Sequence, residues 1–272
     1  MAALSISKAW DESKAIATRD GRLIGAVSLA LVLLPQTIFG VIAPPPGLSG
    51  EQPPSWVGAL SALVLLAGVI AQVAIVRLAL GPATSVGESI AHGAKRALPA
   101  VGALMLFVLP LAILCAALLL AVGGPTVLET LQAGGKSQPD PAVGGVLLLF
   151  VLFVVAISIR FQMVVPVATA ETANPIQILR RSWELTRGHY WRLLGFFLLI
   201  VLLAMVLVWS AEVIGGILGR LVFGDAKPLS IGALVVALIT SAAQMVFTAL
   251  ASVMLARIYA QLSGRGQADV FA

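Results

Sequence analysis

The residues able to do chemistry are few and far apart. The two histidines, His92 and His189, have no second His or Cys at metal-ligand spacing. Neither begins a zinc or two-metal site, and each is expected to be an interfacial surface residue. Cys115 is the single cysteine and lies inside an apolar run, where a thiol behaves as a small buried hydrophobe. One thiol makes no internal disulfide, so it says nothing of compartment. Gly134-Gly135-Lys136-Ser137 ends like a phosphate-binding P-loop. The full motif, G-x-x-x-x-G-K-[ST], requires glycine where Thr130 stands, and no strand precedes it. An intramembrane protease needs a Ser/His, Asp/Asp or metal-ligand set within apolar segments, and none is visible. The chain is expected to be no enzyme and to hold no cofactor or metal.

Three polar residues fall inside apolar runs: Gln72, Glu212 and Gln244. A carboxylate within a membrane suggests ion or proton coupling. Glu212 follows Trp209 near the outer end of its run, from where it could equally snorkel to the interface. Amides such as Gln72 and Gln244 either bridge neighbouring helices or bind a substrate. Gly215 and Gly219 form a small-xxx-small pair beside Glu212, a signature of close helix packing.

What positions these residues is a chain made for lipid. Of its 272 residues, 60% are hydrophobic and 11% charged, with mean hydropathy +1.04. A soluble domain carries about 25% charged residues. A helix rises about 1.5 Å per residue, so about 20 residues cross a hydrocarbon layer of about 30 Å. Continuous apolar runs of that length lie at Leu23–Ala43, Val57–Leu80, Leu98–Val122, Val143–Val165, Leu193–Leu218 and Ile231–Ala256. They do not alternate, so they read as helices rather than barrel strands. Pro35 and Pro110 lie within the first and third runs, where each removes an amide donor and should kink its helix. The first run is too long for a signal-peptide core, and a retained helix is preferred over a cleaved one. Two outer connections, 44–54 and 123–141, are rich in Pro, Gly and small polar residues and read as unstructured loops.

The formal charge of +5 is distributed as topology rather than as a nucleic-acid surface. Of the seventeen Lys and Arg, all but Lys136, Arg220 and Lys227 fall at the N-terminus, the second and fourth connections and the C-terminus. By the positive-inside rule both ends are cytoplasmic, in a bacterial inner (plasma) membrane.

A short amphipathic segment precedes each odd-numbered span. In 175–192, Ile176, Leu179, Trp183 and Tyr190 share one helical face, while Arg180, Glu184 and Arg187 share another. Pro175 suits the first turn of that helix and Gly188 its end. The second segment opens at Pro82, with Val86, Ile90 and Ala94 against Glu88, His92, Lys95 and Arg96. The first sets Ile6, Trp10 and Ala17 against Lys8, Asp11, Glu12 and Arg19. Aligning Gly25, Gly102 and Gly195 brings Pro82 onto Pro175, and the even spans all end in arginine, at Arg77, Arg160 and Arg257. The period is roughly 80–95 residues. The expected architecture is therefore all-α: one integral membrane domain over 1–272, built as three hairpins in units 1–80, 81–173 and 174–272, each hairpin led by an interfacial helix.

The stretch Glu171 through Arg192, with Pro175, Leu179-Arg180-Arg181-Ser182-Trp183-Glu184-Leu185-Thr186 and Trp191-Arg192-Leu193-Leu194-Gly195, resembles the membrane domain at the N-terminus of some bacterial glycerophosphoryl diester phosphodiesterases, and stand-alone six-helix proteins related to it. The resemblance implies an integral membrane protein. It does not imply the phosphodiesterase reaction, which in those enzymes belongs to a separate soluble barrel that the 272 residues are not expected to contain.

Two functions compete on these observations. One is a non-enzymatic protein of membrane or envelope organisation, interacting with lipid or with a membrane-protein partner. Its candidate contacts with anionic headgroups are Arg180, Arg181, Trp183, Arg187, Trp191 and Arg192, although the amphipathic segments could equally serve only to anchor the bundle. The other is a small-molecule transporter using Gln72, Glu212 and Gln244. The topology is open to a direct check. Reporters fused after residue 90, after 175 or at the C-terminus should report cytoplasm, and those after 50, 135 or 225 the outside. An external C-terminal reporter would refute the six-span arrangement.

Overall fold

The computed structural model describes residues 4–43, 56–81, 85–132, 141–224 and 228–264, and these contain helices and no strand. The proline-rich connection, Pro82, the Gly134–Ser137 segment, Lys227 and Arg265 lie outside the described residues. Helix α1 runs over Ile6–Ile42 and α2 over Trp56–Leu80. Helix α3 covers Val86–Gln132, α4 Pro141–Phe161, α5 Val164–Ala170, α6 Pro175–Thr186, α7 Tyr190–Phe223 and α8 Ile231–Leu262. Six helical stretches are long and apolar enough to cross a membrane, and each covers one of the six expected spans, short only of Ala43 in the first. The protein is a transmembrane helical bundle.

The helix starts follow local chemistry. Ser5 caps α1 by accepting from the Lys8 amide. At the start of α3, Ser85 Oγ accepts from the Glu88 amide while Glu88 Oε2 accepts from the Ser85 amide, a reciprocal capping box. That box starts the helix at Val86, so Pro82 does not open it. Before α6, Gln177 Oε1 accepts from the Asn174 amide and Pro175 takes the first helical position, where its missing donor costs nothing.

Several expectations change in detail. The amphipathic segments of α1 and α3 are continuous with their spans, and only α6 is a separate helix. Gly21 in α1 and Gly93 and Pro99 in α3 stay within continuous helix, whereas Gly188, at φ 91, lets the chain turn between α6 and α7. Pro35 is accommodated by a wider π turn at Leu29–Leu33, closed by the Leu34 amide donating to the Leu29 carbonyl. Such a turn absorbs a missing donor within an otherwise continuous helix. Pro110 leaves no non-helical residue in α3, which departs from helical angles at Gly124 (φ 56, ψ −152). The connection after 123 was expected to be unstructured, yet helix resumes past Gly124 and continues to Gln132.

Helix α8 lies at the centre, packed against α7, α1 and α2, while α2 also carries α3 and α5. Peripheral α4 packs on α3, α6 and α7. The core concentrates at one end. Ile16, Ile24 and Val27 of α1 meet Ile75, Leu78 and Val253. Beside them Ile159, Met163, Val167, Ile178, Leu193, Phe196 and Tyr259 pack together. The same end gathers the N-terminal segment and the end of α8: Gln261 Oε1 accepts from the Ser5 amide at 3.0 Å, and Arg257 Nε donates to Glu12 Oε2 at 2.7 Å. At the other end helices touch through small residues, and the Leu229 amide donates to the Val41 carbonyl at 2.9 Å. Outward, α3, α4 and α7 expose Leu109, Ile113, Leu148, Leu149, Leu202 and Val206, a surface that only lipid tolerates at this extent.

Gly93 sets how closely α3 approaches α2. A Cβ there would stand 2.7 Å from the Ile70 carbonyl oxygen, whereas one at Gly87 meets nothing within 4 Å. Gly93→Leu should therefore lower the melting temperature in detergent, with overpacking costing about 1–3 kcal/mol or more. Gly87→Leu should not lower it. Equal melting temperatures for the two variants would contradict the close α2–α3 contact.

Candidate functional site

The candidate site forms where α4 ends, because a helix ending inside a bundle must find donors for its last carbonyls. Helix α6 supplies them. Ser182 Oγ donates to the Arg160 carbonyl at 2.8 Å, and Thr186 Oγ1 reaches the same oxygen at 3.4 Å. Ile178, Ser182, Leu185 and Thr186 form the face that α6 buries. That seating turns Trp183 outward, 44% exposed, and leaves Ile176 and Trp191 exposed as well.

The Arg160 side chain lies against this arrangement. Its guanidinium carbon is 5.0 Å from the centre of the Trp183 ring and 5.3 Å from that of Tyr190. Both distances suit attraction between a cation and an aromatic face. Phe161 continues the aromatic stack, 5.9 Å from Trp183 and 4.5 Å from Phe107. The Tyr190 hydroxyl donates to the Ala156 carbonyl, which fastens the start of α7 to α4.

A second knot forms at Glu171, between α5 and α6. Its Oε1 accepts from the hydroxyl of fully buried Tyr259 at 2.8 Å and from Arg181 Nε at 3.3 Å. Arg181 also lies 3.6 Å from Glu184, which accepts from Arg180 Nε at 3.1 Å. Glu171, Arg180, Arg181 and Glu184 border an open depression of about 590 Å³ with Thr172 and Gln177 on its wall.

The structure thus divides the six expected headgroup contacts. Arg180 and Arg181 are paired with acids, and the acid that holds Arg181 most closely is Glu171, ten residues upstream. Arg192 Nη1 donates to the Leu4 carbonyl at 3.0 Å. The Arg187 side chain is exposed with no acid at ion-pair distance among the described residues, and Trp183 and Trp191 stand outward beside it. The cluster is therefore less cationic than its arginine count suggests.

The intramembrane trio is spread over three helices. Gln72 on α2 and Gln244 on α8 are half-buried and Glu212 on α7 is exposed. No hydrogen bond among the described residues joins them. Glu212 lies 22 residues beyond Tyr190 on α7, about 33 Å along the axis, which suits the far headgroup layer. Both histidines, expected at the surface, are of intermediate exposure. His92 Nε2 lies 3.0 Å from the Thr169 carbonyl, joining α3 to α5. His189 is half-buried, with Nδ1 enclosed and unpartnered. Cys115 is only half-buried, on a helix that faces lipid.

Sequence reasoning did not single out Arg160, Glu171 or Tyr259 as site residues. Two signals were present: Arg160 is one of the three span-terminal arginines, and Glu171 heads the stretch that carries the family resemblance.

Fold and site together define a six-helix integral membrane protein with a polar, arginine-bearing end. The chain belongs to the family described as a domain of unknown function (DUF7847), which it matches over residues 4–262. No curated protein and no solved structure matches it.

The Glu171 knot can be weighed by substitution. Tyr259→Phe keeps the buried ring and removes one donor to a carboxylate, a bond of about 1.5–3 kcal/mol. Its melting temperature should fall. Combining it with Glu171→Gln should give less than the sum of the two losses, because both act on one network. Strict additivity would mean that the groups are uncoupled.

Proposed function

We propose that this is a non-enzymatic protein of a bacterial inner membrane, with both ends cytoplasmic, whose arginine-bearing end engages lipid headgroups and so takes part in membrane or envelope organisation. The carrying observation is α6. It is a separate amphipathic helix, seated by Ser182 and Thr186, that turns Trp183 and Ile176 outward beside exposed Arg180 and Arg187. Tryptophan suits headgroup depth, and arginine suits anionic lipid just above it.

The threefold repeat supports the same reading. Ser182 and Thr186 stand at the same spacing from Gly195 as Ser89 and Gly93 from Gly102, and all four are buried. The face that seats α6 thus has a counterpart at the start of α3, in keeping with units 1–80, 81–173 and 174–272. The resemblance of 171–195 to the phosphodiesterase-linked membrane domain agrees with an integral membrane role and adds no catalytic one. The alternative remains a small-molecule transporter using Gln72, Glu212 and Gln244, which no hydrogen bond joins among the described residues.

Charge sets the expected size of the effect. Each basic residue at an anionic surface contributes about 1 kcal/mol, fading over a Debye length. Glu171 and Glu184 offset two of the four arginines of the segment, leaving about 2 kcal/mol. Changing Arg180, Arg181, Arg187 and Arg192 to glutamine should reduce the preference for phosphatidylglycerol over phosphatidylcholine in native mass spectrometry. Lysine at all four should restore most of it, because the attraction is diffuse. An unchanged preference in the glutamine variant would leave α6 as a mechanical elbow between spans.

A further inference from the structure

Several arginines at this end have an acidic partner: Arg257 holds Glu12, Arg181 holds Glu171 and Arg180 holds Glu184. Arg160 is half-buried and has no acid at ion-pair distance among the described residues. Its Nη1 is enclosed with no acceptor. A partly desolvated cation is costly without a counter-charge, and two ring faces replace only part of one.

The ring of Tyr190 that flanks Arg160 is also the first residue of α7. That 34-residue helix starts without a side-chain cap, its N-cap position being held by His189. The amides of Tyr190, Trp191 and Arg192 have no acceptor among the described residues, and such a turn carries partial positive charge and favours an anion. Through the Tyr190 ring, a guanidinium with no acid at ion-pair distance among the described residues is joined to the residue that opens an uncapped helix. We infer that this niche, formed by Arg160 between Trp183 and Tyr190 at the start of α7, holds the phosphodiester of one membrane phospholipid, whatever its headgroup. The inference rests on the reading that this end faces the headgroup layer.

The surroundings favour lipid over free phosphate. From the niche, α4 leads away with Leu152 and Leu148 exposed, and α7 with Leu198 and Leu202 exposed. Leu152 and Leu148 lie about 12 and 18 Å along the helix from Arg160, the depth of one leaflet of about 15 Å. An acyl chain would follow these side chains while a guanidinium fork met the phosphate oxygens. Those oxygens are common to anionic and zwitterionic phospholipids. The site should therefore ignore headgroup charge, unlike the diffuse attraction at α6.

Delipidated full-length protein can be mixed with phosphatidylglycerol, phosphatidylcholine or diacylglycerol and read by native mass spectrometry. One phosphatidylglycerol or one phosphatidylcholine should be retained to a similar extent, and diacylglycerol should not. Arg160→Gln should weaken retention of both phospholipids about tenfold, and Arg160→Lys, which keeps the charge but not the fork, should restore only part. The variant with Arg180, Arg181, Arg187 and Arg192 changed to glutamine should keep this one lipid even where it loses preference for phosphatidylglycerol, so the two readings fail separately. Diacylglycerol retained as well as the phospholipids, or full retention by a folded Arg160→Gln, overturns the inference. So does displacement of the lipid by millimolar inorganic phosphate, which would mark a soluble-anion site. If Arg160→Gln does not fold, the three-lipid comparison on the unaltered protein decides alone.

Discussion

Hydrocarbon offers a helix no water with which to satisfy its last carbonyls, and no dielectric in which to leave a charge. Much of the architecture follows from that constraint. The six spans keep their backbone bonds internal. Where α4 stops, the Arg160 carbonyl is met by two hydroxyls of α6. The same requirement draws Ser5 to Gln261 and Arg192 to Leu4. Ionic and polar partners thus collect at the end where the helices finish, and the buried core collects there too. Elsewhere α3, α4 and α7 have little to hold them but packing and lipid.

Six spans could be read from the sequence because their signal is additive. Twenty apolar residues in a row outweigh any local ambiguity, and every expected run falls almost wholly on helix, the fourth crossing the turn between α4 and α5. Finer features depend on single residues whose effect is set by neighbours. Pro35 removes a donor, but whether the helix breaks, bends or widens depends on the turns packed around it, and here it widens at Leu29–Leu33. The segments 6–19 and 86–96 show the amphipathic pattern of an interfacial helix. The pattern cannot say where such a helix stops. Gly87 and Gly93 stay helical within α3, whereas Gly188 takes a positive φ beyond the end of α6, and α6 alone is separate.

The candidate site was legible in part for a related reason. Clustering of like charge along the chain is visible, so Arg180, Arg181, Arg187 and Arg192 stood out. The acids that neutralise such charges need not be neighbours in sequence. Glu171 reaches Arg181 only because the chain between α5 and α6 folds back, and Tyr259 reaches Glu171 from 88 residues away. Counting charges within a stretch therefore overstates its field. A lone arginine at a helix end draws no notice until the structure shows what it faces.

The three span-terminal arginines make the point sharper. Arg77 is exposed to solvent or headgroups. Arg257 is closed on Glu12 of α1. Arg160 is enclosed by aromatic rings. Arg77 and Arg160 stand in the last turns of their helices, where a cation opposes the partial negative charge of the unsatisfied carbonyls. Arg257 stands before the last turn of α8, which runs on to Leu262. What differs is the counter-charge. An exposed arginine finds it in water or lipid, and a paired one finds it in a carboxylate. Arg160 has been moved out of water without being given an acid among the described residues. An ion pair there would have neutralised Arg160 as Glu12 neutralises Arg257. Aromatic walls instead leave the guanidinium able to accept a partner from outside the chain, and that difference separates a structural arginine from one available for binding.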